Sequence, residues 1–138
     1  MPPMRMLIID DEPSFVRALA QLLSKDGATV DTAANGALAL TQLHTHCYDV
    51  VLCDLRMPTL DGPDFYATLL KQHSYLCQRV IFLTGDTLGV ASAAFLEQCG
   101  RPWLHKPCTA AEVRNAIQQM LYTSPVTTGT LHASFTCR

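Results

Sequence analysis

The stretch VVLCDLRMP, Val50 to Pro58, decides how the rest of the chain is read. Val50, Val51, Leu52 and Cys53 follow one another without a polar break and run straight into Asp54, and a turn follows at once. A strand with one wet face alternates apolar and polar residues, whereas a strand covered on both faces does not. The stretch therefore predicts a central strand of a parallel sheet that delivers one carboxylate at its carboxyl end.

Other segments fit the same plan. Val80 to Leu83 is a second doubly apolar run, and Met6 to Ile9 is a third that ends in Asp10-Asp11. Ala28 to Ala33 is weaker and partly polar, which suits an edge strand, and Trp103-Leu104-His105 is a short fifth one. Helical periodicity fills the gaps. Pro13 suits the first turn of a helix with Phe15, Leu19, Leu22 and Leu23 at helical spacing, ended by Gly27. Asn35-Gly36 leads into a second helix with Ala37, Leu40, Leu43 and Cys47 on one face. Asp61-Gly62 opens a third around Phe65 and Leu69, and Thr87 to Gln98 reads as a fourth, rich in alanine. Thr109 to Glu112 is a capping box that starts a fifth helix, with Val113, Ile117, Met120 and Leu121 facing inward.

Five strand–helix units imply an α/β fold: a doubly wound five-stranded parallel sheet with helices on both faces and right-handed crossovers. Of the two common strand orders, the flavodoxin-like 2-1-3-4-5 fits five strands. Residues 4–122 form the expected domain, and the polar, unpatterned residues 123–138 read as a C-terminal tail.

Bulk properties narrow the function classes. With 138 residues, 49% hydrophobic and 16% charged, the chain can bury a single core and is no disordered tail. A formal net charge of −2 gives no electrostatic footprint for nucleic acid. No apolar run approaches the roughly 20 residues of a membrane span, and the N-terminus is too short and too soon acidic for a signal peptide. Cys47, Cys53, Cys77, Cys99, Cys108 and Cys137 form no C-x-x-C pair and read as reduced thiols of a cytoplasmic protein. A zinc site at His44, His46 and Cys47 is the sharper alternative, but two histidines two residues apart do not share a helix face.

In an open α/β sheet, chemistry gathers beyond the carboxyl ends of the strands. The first strand ends at Asp10-Asp11, the third at Asp54, the fourth at Thr84 with Gly85-Asp86 beyond, and the fifth at Lys106-Pro107. Three carboxylates that meet in one crevice repel, and a hard divalent cation such as Mg²⁺ relieves that repulsion through oxygen ligands. A metal, Lys106 and Thr84 around a carboxylate nucleophile would suit a transferring phosphoryl group. Taken singly, each residue has a plainer role: Asp10-Asp11 as a helix cap, Asp54 and Thr84 as turn residues, Lys106-Pro107 as a solvated loop. Their conjunction at four strand ends favours chemistry over coincidence.

The chain resembles the receiver domains of two-component response regulators. The resemblance rests on IIDDEP (8–13), DVVLCDLRMPTLDG (49–62), VIFLTGD (80–86) and PWLHKP (102–107), and covers about residues 4 to 122. It implies that Asp54 is the phosphoacceptor, loaded from a histidine kinase or a histidine phosphotransfer protein, and that Mg²⁺ is the cofactor. By the same resemblance Asp11 is a direct metal ligand, Asp10 acts through a water, and the Arg56 backbone carbonyl joins them. Lys106 would pair with the phosphoryl oxygens, Thr84 would move to meet them, and Trp103 stands at the switch position where the family usually has Tyr or Phe. It further implies a cis peptide before Pro107. The output surface would be the fourth helix, fifth strand and fifth helix, meeting a downstream protein without direct nucleic-acid contact or membrane insertion. Homodimers occur in the family. The chain is then a signalling phosphoacceptor rather than an enzyme with its own substrate. It resembles receivers of hybrid sensor kinases as well as single-domain regulators. Arg56 and Asp86 flank the site and would pair across its mouth.

Three other readings compete. A flavodoxin-like FMN protein needs a phosphate loop where this chain has Asp10-Asp11. A haloacid-dehalogenase-like phosphatase needs an aspartate two residues after the nucleophile, where this chain has Arg56. The third is a degenerate receiver that binds partners without phosphorylation; the loss of any of Asp11, Asp54, Thr84 and Lys106 would favour it, and all four are present.

Overall fold

The structure, a computed structural model, describes residues 4–85 and 89–122. Its elements are β1 (Arg5–Ile9), α1 (Pro13–Ser24), β2 (Thr29–Ala33), α2 (Gly36–Leu43), β3 (Val50–Asp54), α3 (Gly62–Gln72), β4 (Val80–Thr84), α4 (Val90–Cys99), β5 (Trp103–His105) and α5 (Ala110–Tyr122), with a 3-10 turn at Ser74–Leu76. All the strand pairs are parallel, in the order β2-β1-β3-β4-β5, as the alternation of strands and helices implied. The proposed tail, and Thr87 at the expected start of the fourth helix, lie outside the described residues.

The unbroken apolar runs are explained by two cores, one on each face of the sheet. Leu7, Ile9, Val51, Cys53, Val80 and Phe82 point to one side and meet Leu43, Phe65, Leu69 and Leu96 from α2, α3 and α4. Met6, Ile8, Val50, Leu52, Ile81 and Leu83 point to the other and meet Val16, Leu19 and Leu23 of α1 and Val113 and Ile117 of α5. Alternation is present in direction but not in polarity, because both directions are covered. Each fully buried Leu, Ile or Phe contributes about 1.5–3 kcal/mol over its exposed state, and β3 and β4 are buried at every position.

Helix signals hold at several ends. Pro occupies the first turn of α1, Asn35 caps α2 by accepting from the Leu38 N–H, and Asp61 caps α3 by accepting from the Asp64 N–H. The Thr109–Glu112 capping box forms in both directions: the Thr109 N–H donates to Glu112 at 2.8 Å, and the Glu112 N–H donates to Thr109 Oγ1 at 3.1 Å.

Three expectations need correction. Leu22 is 46% exposed, and Val16 takes the inward position instead, because the buried stripe of α1 runs Val16, Leu19, Leu23. In α2 the buried stripe is Gly36, Ala39 and Leu43, while Ala37 is exposed; the helix ends at Leu43, so Cys47 is not on it. Cys47 is disulfide-bonded, against the expectation of reduced thiols, whereas Cys53, Cys77, Cys99 and Cys108 are free. No helix among the described residues is long and apolar enough to cross a membrane.

Candidate functional site

The strand register builds the site. Ile9 pairs with Cys53, so Asp10 and Asp54 emerge side by side from β1 and β3. Asp54 pairs with Leu83, which puts Thr84 one step further along β4, and Thr84 pairs with His105, which puts Lys106 one step beyond that. The four strand ends form a staggered rim around one crevice. Asp10, Asp54 and Thr84 are all buried there.

The chain after Asp54 is held tightly. The Gly62 N–H donates to the Leu55 carbonyl at 2.9 Å, and a Cβ added at Gly62 would lie 2.9 Å from both the Asp54 carbonyl oxygen and Leu55 Cα. Only glycine allows α3 to start so close beneath the end of β3. Across the same loop Thr59 adopts φ 72°, a left-handed conformation that is strained for a β-branched residue.

Lys106 is the electrostatic centre of the crevice. Its Nζ lies 2.5 Å from Glu12 Oε1, 2.9 Å from Asp10 Oδ2 and 3.4 Å from Asp54 Oδ2, and 5.1 Å from the centroid of the Phe15 ring. Burial works against its charged form, but the hydrogen bonds to Glu12 and Asp10 and the charges of Asp54 and Asp10 outweigh it and hold the ammonium above the usual lysine range. Asp54 behaves in the opposite sense. Burial and then the neighbouring Asp10 charge push its carboxyl up from 3.8 to about 6, against the opposing pull of Lys106 and the Arg56 N–H. That N–H is 3.4 Å from Asp54 Oδ1. Thr84 Oγ1 is buried with no hydrogen-bond partner, a cost of about 1–3 kcal/mol for a buried polar group.

Carboxylate oxygens of Asp10, Asp11 and Asp54 lie within 4.8 Å of one another, and among the described residues this is the one such metal-ligating group of three or more. The donors are all oxygens, which fits a hard divalent cation. The alternative zinc ligands His44, His46 and Cys47 form no such group, and Cys47 is committed to its disulfide. Asp11 is exposed at the rim.

The Lys106–Pro107 peptide is cis, as the resemblance implied. Trp103 is 40% exposed and packs edge-on against His105 with ring centroids 5.3 Å apart. Arg56 extends its guanidinium toward the segment before α4, where a Cβ at Gly89 would lie 3.1 Å from it. Asp86, its expected partner, lies outside the described residues. Sequence reasoning did not assign Glu12 to the site and read Phe15 only as an apolar residue of the first helix. The signal was the third acidic residue of DDEP, read as part of a motif rather than as a partner for a lysine 94 positions away.

Comparison with known proteins agrees with this geometry. Residues 6–118 match the family described as response regulator receiver domain. The transcriptional regulatory protein TcrA of Mycobacterium tuberculosis is 30% identical over 122 residues, which span 88% of this chain and 47% of that protein. The chain thus spans about half the length of that relative, and 26% of the transcriptional regulatory protein GlrR of Escherichia coli, which is 31% identical over 119 residues. Among solved structures, a receiver domain protein from Clostridium thermocellum superposes with a TM-score of 0.72 at 32% identity, covering 86% of this chain and 94% of that one. With its sheet order, acidic crevice and matching family profile, the chain belongs to the response regulator receiver domains of two-component systems.

Proposed function

We propose that this receiver domain accepts a phosphoryl group on Asp54 from the phosphohistidine of a histidine kinase or histidine phosphotransfer protein. The observation that carries this reading is a charged lysine 3.4 Å from Asp54 together with a buried, unpartnered threonine hydroxyl one register step further along the neighbouring strand. An Asp54 carboxylate oxygen attacks phosphorus, the bond from phosphorus to the donor imidazole nitrogen breaks, and that nitrogen keeps the electron pair. Lys106 offsets charge on the phosphoryl oxygens, and the Thr84 hydroxyl donates to one of them, which supplies the partner it lacks. Asp10, Asp11 and Asp54, with the Arg56 backbone carbonyl, would hold Mg²⁺, Asp10 through a water. When bound, that ion offsets the negative charge of the carboxylates and of the phosphoryl group.

Lys106 and Thr84 follow β5 and end β4, so a change in their contacts reaches the surface of α4, β5 and α5 directly. That surface, with Trp103 on it, is the proposed contact for a downstream protein. The test is incubation with acetyl phosphate and Mg²⁺, read by intact mass. Wild type gains one phosphoryl group and Asp54→Asn gains none. Wild type that stays unmodified by acetyl phosphate and by a phosphorylated histidine phosphotransfer protein refutes the reading.

A further inference from the structure

We infer that Glu12 is a positioning residue that competes with the phosphoryl group for the Lys106 ammonium and so biases the domain toward its unmodified state. The inference rests on the reading of Asp54 as phosphoacceptor. An ammonium has three hydrogens to donate. Glu12, Asp10 and Asp54 all lie within its reach, and the contact to Glu12, at 2.5 Å, is the shortest. The Asp54 contact is the longest of the three, so the ammonium can give a phosphoryl oxygen on Asp54 a short hydrogen bond only by loosening its hold on Asp10 or Glu12.

Burial decides which one yields. The Asp10 side chain is 0% exposed, and freeing it would leave a buried charge without its cation. The Asp54 side chain carries the phosphoryl group itself. The Glu12 side chain is 59% exposed, so water takes over its hydrogen bonds on release. Release is cheap but not free, as for half-exposed ion pairs generally.

The helix does not need this side chain where it is. Glu12 is the N-cap residue of α1, a position where Ser, Thr, Asp or Asn would bond to the helix backbone, yet its side chain makes no capping bond. It reaches instead to Lys106, whose ammonium also lies 5.1 Å from the centroid of the Phe15 ring. The ammonium is thus already engaged before any phosphoryl group arrives.

The test is a calorimetric titration of the full chain with beryllium fluoride, a stable phosphoryl mimic, at saturating Mg²⁺. Glu12→Gln, which removes the competing charge, is expected to bind the mimic about threefold more tightly than wild type, the scale of a half-exposed ion pair. Glu12→Asp keeps the charge but is one methylene too short to hold the same contact, and is expected to share the gain. The phosphorylated form of both variants, made with acetyl phosphate, should be favoured to the same extent over the unmodified form. A purely structural role would loosen the crevice and weaken binding, so the sign separates the two roles. Equal or weaker binding by Glu12→Gln overturns the inference, as does a Glu12→Asp protein that behaves like wild type, since the gain would then come from net charge. If wild type takes up neither the mimic nor a phosphoryl group, the reading of Asp54 fails and this inference with it. If wild type takes up both and Glu12→Gln matches it, only the role of Glu12 fails.

Discussion

Asp54→Asn should make the metal-free protein more stable at neutral pH, although Asp54 is the residue on which the proposed function depends. The Asp54 carboxyl is raised from 3.8 to about 6, first by burial and then by Asp10. Its side chain is only 8% exposed, so solvent screens little of that cost. Between those two values the folded state holds a proton that the unfolded state has lost. Stability from this group is therefore present in full below the lower value and is lost as pH rises through about 6. At about 1.4 kcal/mol for each pH unit between folded and unfolded values, ionised Asp54 costs up to about 3 kcal/mol at pH 8. Asparagine removes that charge at nearly constant volume, and Lys106 keeps Asp10 and Glu12 as partners. Urea unfolding at pH 8 without divalent cations should show Asp54→Asn about 1–3 kcal/mol more stable than wild type. The gap should close as pH falls through 6 toward 4. Millimolar Mg²⁺ at pH 8 should narrow it too, because a ligand of the folded state stabilises wild type by mass action. An Asp54→Asn protein no more stable than wild type at pH 8, or a gap that does not depend on pH, would refute the argument that the crevice stores electrostatic strain at Asp54.

Three other substitutions test how the site is held. Gly62→Ala places a Cβ 2.9 Å from backbone atoms of Asp54 and Leu55, and should cost about 1–3 kcal/mol in urea unfolding and slow phosphoryl uptake by displacing the end of β3. Thr59→Asn should leave stability equal or raise it by up to about 1 kcal/mol, because asparagine tolerates the left-handed φ of 72° that strains threonine; a loss seen by thermal unfolding would count against strain there. Thr109→Ala removes the side-chain half of the α5 capping box and should lower stability by about 1 kcal/mol, with amide exchange rising first at Glu112 and its neighbours.

The core strands and the residues at their ends were legible in one dimension because their causes are local. A strand covered on both faces has no reason to alternate, so VVLCD and VIFL announce their burial directly. Helix starts were legible for the same reason: Asn35, Asp61 and the Thr109–Glu112 pair satisfy backbone donors within four residues, and Pro13 lacks the N–H that would need a partner in the first turn. The inward faces of α1 and α2 were read less well. Leucine at position 22 and alanine at position 37 have apolar side chains, but which stripe of a short helix faces the sheet depends on how the helix lies on it.

By itself, then, the sequence determined the order of elements, the doubly covered sheet and the acidic, hydroxyl and basic residues at four strand ends. Tertiary structure alone decided how those ends share charge. Glu12 stands beside Asp10 and Asp11 in the chain and could have served the helix, but β5 brings Lys106 within 2.5 Å and it turns there. Asp54 departs from an ordinary carboxylate because burial and Asp10 act on it through space. Local propensity depends on neighbours along the chain, whereas Coulomb energy and desolvation depend on distance and burial, which the parallel register of β1, β3, β4 and β5 sets.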